Sequence, residues 1–178
     1  IVYHYEGTIA HIQDDELLVF FGAPVAHEDD PVRAVRAALE LLQAAHQFSQ
    51  EASTQYRLAE HGLEFAVRIS LSTGPVTIGT IGADLKYAYS ALGGTVNLAA
   101  QLEAAKVPMT VLISEDTYRF IAPFFDCTDL GEVSAPGMSR PAHIYRVDRL
   151  RAAPGSARGL SGLQSPMVGR KAEMKALL

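Results

Sequence analysis

The chain has 178 residues, of which 48% are hydrophobic and 20% are charged, proportions that are typical of a globular domain. Its formal net charge of −5 argues against a nucleic-acid binder, because no basic surface is available to displace counterions from phosphates. No apolar run approaches the roughly 20 residues that cross a bilayer. Cys127 is the single cysteine and cannot form an intrachain disulfide, so we expect a reducing, cytoplasmic compartment.

The first predicted element is a β-hairpin over residues 7–21. Residues 8–12 form its first strand, and 17–21 form a continuous apolar run of the kind found in buried strands. Two aspartates, Asp14 and Asp15, stand in the tip between the strands. Aspartate is common in turns, because its short side chain hydrogen-bonds the nearby backbone.

A helix is predicted to follow, from Asp29-Asp30-Pro31 to about Phe48. An aspartate N-cap and a proline in the first turn favour a helix start. The apolar positions recur at helical spacing, so we expect one buried face and one solvent face. The buried face would carry Val32, Val35, Leu39 and Leu42, and the solvent face Arg33, Arg36, Glu40 and Gln43.

Two strands are predicted over 65–71 and 76–81, joined by a turn at 72–75, and a loop is expected over 82–89. A Gly-Gly pair then opens a second helix that runs to about Lys106. Asn97 and Gln101 lie four residues apart, and so share one face of this helix. Two long amides on one face indicate either a binding surface or an ordinary solvated face.

The last predicted elements are a strand at 110–113, a short helix capped by Ser114, and strands near 125–133 and 142–148 that flank a turn at Pro136-Gly137. Hairpins interleaved with helices predict an α+β domain with a mixed or antiparallel sheet and helices on one face.

Several stretches of this pattern, in order and in spacing, resemble the bacterial class III adenylate/guanylate cyclase catalytic domain. The resemblance covers about residues 6–148 and rests on residues 22–25, 27–31, 68–74, 93–100 and 129–133. It implies a ferredoxin-like βαββαβ core that lacks its N-terminal strand.

The resemblance also implies a domain division. We expect a catalytic domain over 1–149 and an Ala/Gly/Ser/Pro-rich linker over 150–166. Residues 167–178 look like the start of an AAA-type ATPase module. The chain begins at Ile1 and ends within this last pattern, so we expect it to be part of a longer protein.

In the class III family, ATP is converted to cyclic AMP and pyrophosphate with two Mg²⁺ or Mn²⁺ ions per site. The site lies between two catalytic domains that pair head to tail, as a homodimer or with a related cyclase domain. Asp15 occupies the position of the second metal-binding aspartate, and the wider match favours metal binding over an ordinary turn aspartate, which is common at such a position. Asp14 replaces a usual glycine, and the first metal aspartate is expected on a strand before Ile1.

The remaining family positions are matched unevenly. Asn97 matches the asparagine that orients the ribose, but Gln101 replaces the arginine that stabilises the transition state. His11 and Ser90 stand at the two purine-reading positions, where they could equally be an ordinary strand histidine and a loop-stabilising serine. Pro136 replaces a lysine that grips the triphosphate. The resemblance favours ATP over GTP, and the lost charges predict weak or absent activity.

Two alternatives accompany this prediction. The domain could bind nucleotide or dimerise without turning substrate over, since Gln101 and Pro136 carry no charge. The hairpin tip also resembles the Gly-Gly-Asp-Glu-Phe turn of diguanylate cyclases. Both glycines are missing from residues 13–17, however, and the Asn97 helix has no counterpart in that family.

Overall fold

The computed structural model describes residues 1–61, 65–81, 88–103, 107–134 and 141–151. Predicted features at Pro136-Gly137 and beyond Arg151, including most of the linker and the ATPase-like segment, lie outside the described residues. The helices are α1 (Asp30–Tyr56), α2 (Gly94–Glu103) and α3 (Glu115–Ile121). The strands are β1 (Thr8–Gln13), β2 (Glu16–Phe20), β3 (Arg68–Leu71), β4 (Thr77–Ile81), β5 (Ala88–Leu92), β6 (Thr110–Ser114), β7 (Phe125–Val133) and β8 (Ala142–Leu150).

A mixed four-stranded sheet with the order β3-β6-β8-β7 forms the centre of the fold. β3 runs parallel to β6, while β6 and β7 both pair antiparallel with β8. This arrangement confirms the predicted α+β class. The strands β6, β7 and β8 were all predicted within one or two residues of their observed bounds.

The predicted pairing of the strands at 65–71 and 76–81 is wrong. β3 pairs with β6, and β4 pairs with β5, a strand that begins at Ala88 inside the segment expected to be a loop. Residues 72–75 do not close a hairpin because they are held by helices instead. The Thr95 hydroxyl of α2 donates to the Pro75 carbonyl at 2.9 Å, and the hydroxyls of Thr73 and Thr117 lie 3.0 Å apart.

Helices pack on both faces of the central sheet, and not on one face as predicted. Ile69 and Leu71 of β3 contact the buried cluster that includes Val35 of α1. Because side chains alternate along a strand, Ser70 points to the opposite face, where its hydroxyl donates to the Ala99 carbonyl of α2 at 2.8 Å. The buried cluster on the α1 face comprises Val32, Val35, Ala38, Val111, Ile113, Ile121, Phe125 and Val147.

The first helix begins where predicted but is longer than predicted, and its N-cap side chain and Arg33 make different contacts from those expected. It continues past Phe48 to Tyr56, since this segment lacks helix-breaking residues, Ala52 is buried, and the Ser49 hydroxyl donates to the Phe65 carbonyl. Asp29 is the N-cap residue, but its side chain makes no capping hydrogen bond. Arg33 was expected in solvent and is only 9% exposed, because acidic neighbours surround it.

Ser114 caps α3 as predicted, and its side chain accepts a hydrogen bond from the Thr117 amide. No helix in the described ranges is both long enough and apolar enough to cross a membrane.

Candidate active site

The hairpin of β1 and β2 presents Asp15 at an exposed two-residue tip, between the paired residues Gln13 and Glu16. Asp14 has a φ of 50°, a left-handed conformation that aspartate tolerates better than most residues and that glycine adopts freely. This conformation explains why a glycine would suit position 14, and it confirms the predicted turn. The Asp15 carboxylate makes no hydrogen bond or ion pair with another described residue, so it is open to a ligand.

His11 lies on β1, just after an irregularity in the strand pairing. Ile9 pairs with Val19 and His11 with Leu18, so Ala10 is an extra residue that makes a β-bulge. The bulge changes the direction in which the following side chains point. His11 is partly exposed, in keeping with its predicted role or with an ordinary strand histidine.

Asn97 and Gln101 lie one turn apart on α2, as the spacing predicted. Gly93 precedes the helix with a φ of 155°, and a Cβ there would lie 3.1 Å from the Pro75 carbonyl oxygen, so a side chain would disturb the turn. Leu102 is fully buried and anchors the helix. Asn97 is exposed at the helix surface, whereas Gln101 is partly buried.

Gln101 lies on the wall of a cleft of about 860 Å³ that is formed by α2, α3, residues 72–75 and the β7–β8 pair. This cleft is also lined by charged side chains of α3 that the sequence did not indicate as site residues, namely Glu115, Asp116 and Arg119. Arg119 is held by Glu115 at 2.7 Å and Asp116 at 3.3 Å. Its positive charge is therefore already engaged within α3.

His143 lines the same cleft and has an aspartate partner. Its Nε2 lies 2.6 Å from Asp129 Oδ1, and its ring stacks on Tyr145 with a centroid distance of 5.0 Å. The Gly131 amide and then His143 lower the pKa of Asp129, which is therefore ionised at neutral pH. The sequence alone does not pair His143 with Asp129, since only the register of β7 against β8 brings the two side chains together.

In the part of the chain that the structure describes, the side chains of the predicted site residues are not joined to one another by hydrogen bonds or ion pairs. Among the described residues, no hydrogen bond or ion pair joins Asp15 or His11 to α2, and no group of three or more acidic, histidine or cysteine side chains could hold a metal ion. Ser90 lies on β5 opposite Gly79, and Pro136 lies outside the described residues. Burial raises the pKa of the Cys127 thiol to about 11, so this cysteine is protonated at neutral pH.

Comparison with known proteins places the chain in a family. Residues 10–148 match the family model of the adenylate and guanylate cyclase catalytic domain. The chain is 31% identical over 152 residues to adenylate cyclase 1 of Rhizobium meliloti (strain 1021), an alignment that covers 83% of this chain and 22% of that protein. The chain thus spans about a fifth of the length of this relative.

Solved structures agree. The adenylyl cyclase CyaB from P. aeruginosa is 32% identical with a TM-score of 0.66, over 83% of this chain and 74% of that one. The guanylyl cyclase Cya2 is 26% identical with a TM-score of 0.70, over 87% of this chain and 76% of that one. The chain therefore belongs to the adenylate and guanylate cyclase catalytic domain family, as the resemblance predicted.

Proposed function

We propose that this domain converts ATP to cyclic AMP and pyrophosphate at a low rate, at sites formed between two cyclase domains. The observation that carries the proposal is the placement of two amides one turn apart on α2, with Gln101 on the wall of a large cleft. Asn97 would orient the ribose by hydrogen bonds, and Gln101 would donate a neutral hydrogen bond to the α-phosphate.

The proposal uses two chains because no described hydrogen bond or ion pair joins these side chains within one chain. Asp15 and Asn97 are both exposed, and neither has a partner among the described residues. A two-fold pair can bring the hairpin tip of one domain to α2 of the other, which makes two equivalent sites. The partner is a second copy or a related cyclase domain, and the single cysteine of the chain fits the reducing cytoplasm.

The exposed Asp15 carboxylate fits a divalent cation. Mg²⁺ prefers oxygen ligands and is commonly held by one or two carboxylates together with substrate phosphates. When bound, two such ions supply activation of the 3′-hydroxyl and neutralisation of the phosphates. Asp15 would contribute one ligand, and the described residues offer no cluster of three. Metal binding by this chain is therefore expected to depend on the nucleotide.

ATP is the proposed substrate in preference to GTP. Two of the relatives above 30% identity, adenylate cyclase 1 of Rhizobium meliloti and CyaB, are adenylate cyclases, while Cya2, a guanylyl cyclase, is 26% identical. His11 and Ser90 are the proposed purine contacts. A histidine can donate or accept a hydrogen bond at the base edge, as can a serine hydroxyl.

A second function is favoured by one observation, the neutral Gln101 at a position where the family has arginine. Without that charge the domain could bind the nucleotide without converting it to product, and could regulate a partner in the bound state. Pro136, outside the described residues, would add to the loss of charge. Calorimetry that detects ATP binding by a chain that forms no cyclic AMP would favour this alternative.

The assay that tests the proposal measures cyclic AMP after incubation with ATP and Mn²⁺. We expect a slow rate that falls about tenfold or more in Asp15→Asn, because the amide cannot supply a charged ligand to the ion. Asp14→Asn is the matched control, since it changes the neighbouring carboxylate and keeps the turn. A rate unaffected by Asp15→Asn would refute the assignment of Asp15.

A further inference from the structure

We propose that Arg33 is the positioning residue that fixes the direction of the β1–β2 hairpin, and hence the place of Asp15. Arg33 lies in the first turn of α1, and its side chain is 11% exposed. Its described hydrogen bonds and ion pairs reach the chain on both sides of the hairpin, and none of them ends on β1 or β2. This inference rests on the proposed function only in the role it gives to Asp15.

One set of contacts holds the segment that leads into β1. Arg33 Nη1 donates to the Tyr5 carbonyl at 3.1 Å and to Glu6 Oε2 at 2.6 Å. The hydroxyl of Thr8, the first residue of β1, donates to the Ala23 carbonyl at 2.7 Å. The start of β1 is thereby tied both to α1 and to the segment that follows β2.

The other set holds the segment that leads out of β2 into α1. Arg33 Nη2 hydrogen-bonds His27 Nδ1 and Asp30 Oδ1. Arg33 Nε lies 3.2 Å from Asp29 Oδ1, close enough for an ion pair but without the alignment of a hydrogen bond. We call Arg33 and these partners the Arg33 cluster: Tyr5, Glu6, His27, Asp29, Asp30 and Arg33.

The charge balance of the cluster makes Arg33 its central member. Three carboxylates, those of Glu6, Asp29 and Asp30, surround a single guanidinium. A guanidinium offers five donors in a planar fork, so it can bind two separate segments at once, which a lysine ammonium does less well. Removal of the positive charge would leave three like charges facing one another across the base of the hairpin.

The hairpin needs such an anchor because it stands apart from the central sheet. Within the described ranges, β1 and β2 pair only with each other, although β1 also lies against β5. An isolated two-stranded hairpin is marginally stable in water. With the six residues of β1 as a lever roughly 20 Å long, a swing of about 10° at the base moves the tip by roughly 3 Å. A displacement of about 1 Å can cost about a hundredfold in rate at a reacting centre.

The test measures distances between spin labels in the 178-residue chain with Cys127→Ser, diluted with unlabelled chain. One pair of labels joins the hairpin tip to α1, at Glu16→Cys and Gln47→Cys. A control pair joins α1 to α3, at Gln47→Cys and Asp116→Cys. All three label positions are exposed. No nucleotide is present, so the result does not depend on whether the domain is catalytic.

We expect Arg33→Met to shift or broaden the tip distance by about 3 Å or more and to leave the control distance unchanged. Glu6→Ala, which cuts the link to the start of β1, should move the tip in the same way. Glu6 is 65% exposed, so this variant keeps its fold and decides the question if Arg33→Met does not. Glu28→Ala removes an exposed carboxylate just outside the cluster and should change neither distance.

The proposal would be overturned if neither Arg33→Met nor Glu6→Ala changed the tip distance from that of the parent chain. A control distance that moves together with the tip would also overturn it, because Arg33 would then stabilise the whole domain and not the hairpin. If the tip moves but the assay for cyclic AMP shows no role for Asp15, the positioning by Arg33 stands and the proposed function fails.

Discussion

Replacement of Gln101 by arginine is expected to raise the rate of cyclic AMP formation by about a hundredfold to a thousandfold. A single well-placed donor to a charged transition state is worth about that factor, and arginine adds a positive charge to the hydrogen bond. The longer side chain has room, because Gln101 lies on the wall of a cleft of about 860 Å³. The measurement is kcat with ATP and Mn²⁺.

Two variants bracket this result. Gln101→Met keeps the length of the side chain without its donors, and should lower the residual rate. Gln43→Arg adds the same charge at an exposed position of α1 and should leave kcat unchanged. A Gln101→Arg chain that is no faster than the parent would show that this face of α2 does not meet the α-phosphate.

Replacement of Phe125 by alanine is expected to lower the free energy of unfolding by about 3 to 5 kcal/mol, the usual range for removal of a buried phenylalanine. Phe125 is fully buried at the start of β7 and belongs to the cluster between α1, α3 and the central sheet. Loss of its ring leaves a cavity that the surrounding strands can fill only in part. Urea unfolding followed by circular dichroism measures the change.

Phe120 provides the matched control for this variant. It lies on α3 and is 56% exposed, so Phe120→Ala should change the free energy of unfolding by no more than about 0.5 kcal/mol. If the Phe125→Ala chain were as stable as the Phe120→Ala chain, Phe125 would not be part of the hydrophobic core.

Elements with local signals were predictable from sequence. The hairpin tip at Asp14 and Asp15, the proline-started α1 and the Ser114 cap each depend on a few adjacent residues, and each was found where expected. The order of motifs then identified the family, which no single element could have done. Asn97 and Gln101 share a face for the same reason, since four residues make about one helical turn.

Features that depend on distant contacts were missed. β3 pairs in parallel with β6, and α2 and α3 form hydrogen bonds to residues 72–75. Neither interaction can be recognised from the alternation of apolar residues in the sequence. Arg33 falls on the polar side of a helical wheel, yet Glu6 and Asp30 enclose it. The approach of His143 to Asp129 likewise requires the register of β7 on β8.

The site itself is predictable in part from one chain. Local spacing places Asn97, Gln101 and Asp15 on their elements, but the distance between α2 and the hairpin tip in the proposed site would be set by a second domain. No pattern within a single sequence encodes that distance. The convergence of the two elements is therefore tested by an experiment on pairs of chains.

Complementation between two inactive chains is the most direct test of that convergence. Both chains carry Gln101→Arg for a measurable rate, and one also carries Asp15→Asn while the other carries Asn97→Ala. Each should be inactive alone with ATP and Mn²⁺. A mixture should recover about a quarter of the Gln101→Arg rate, since about half of randomly formed dimers are mixed and each holds one intact site of two. A mixture as inactive as its components, with mixed dimers present, would contradict the account.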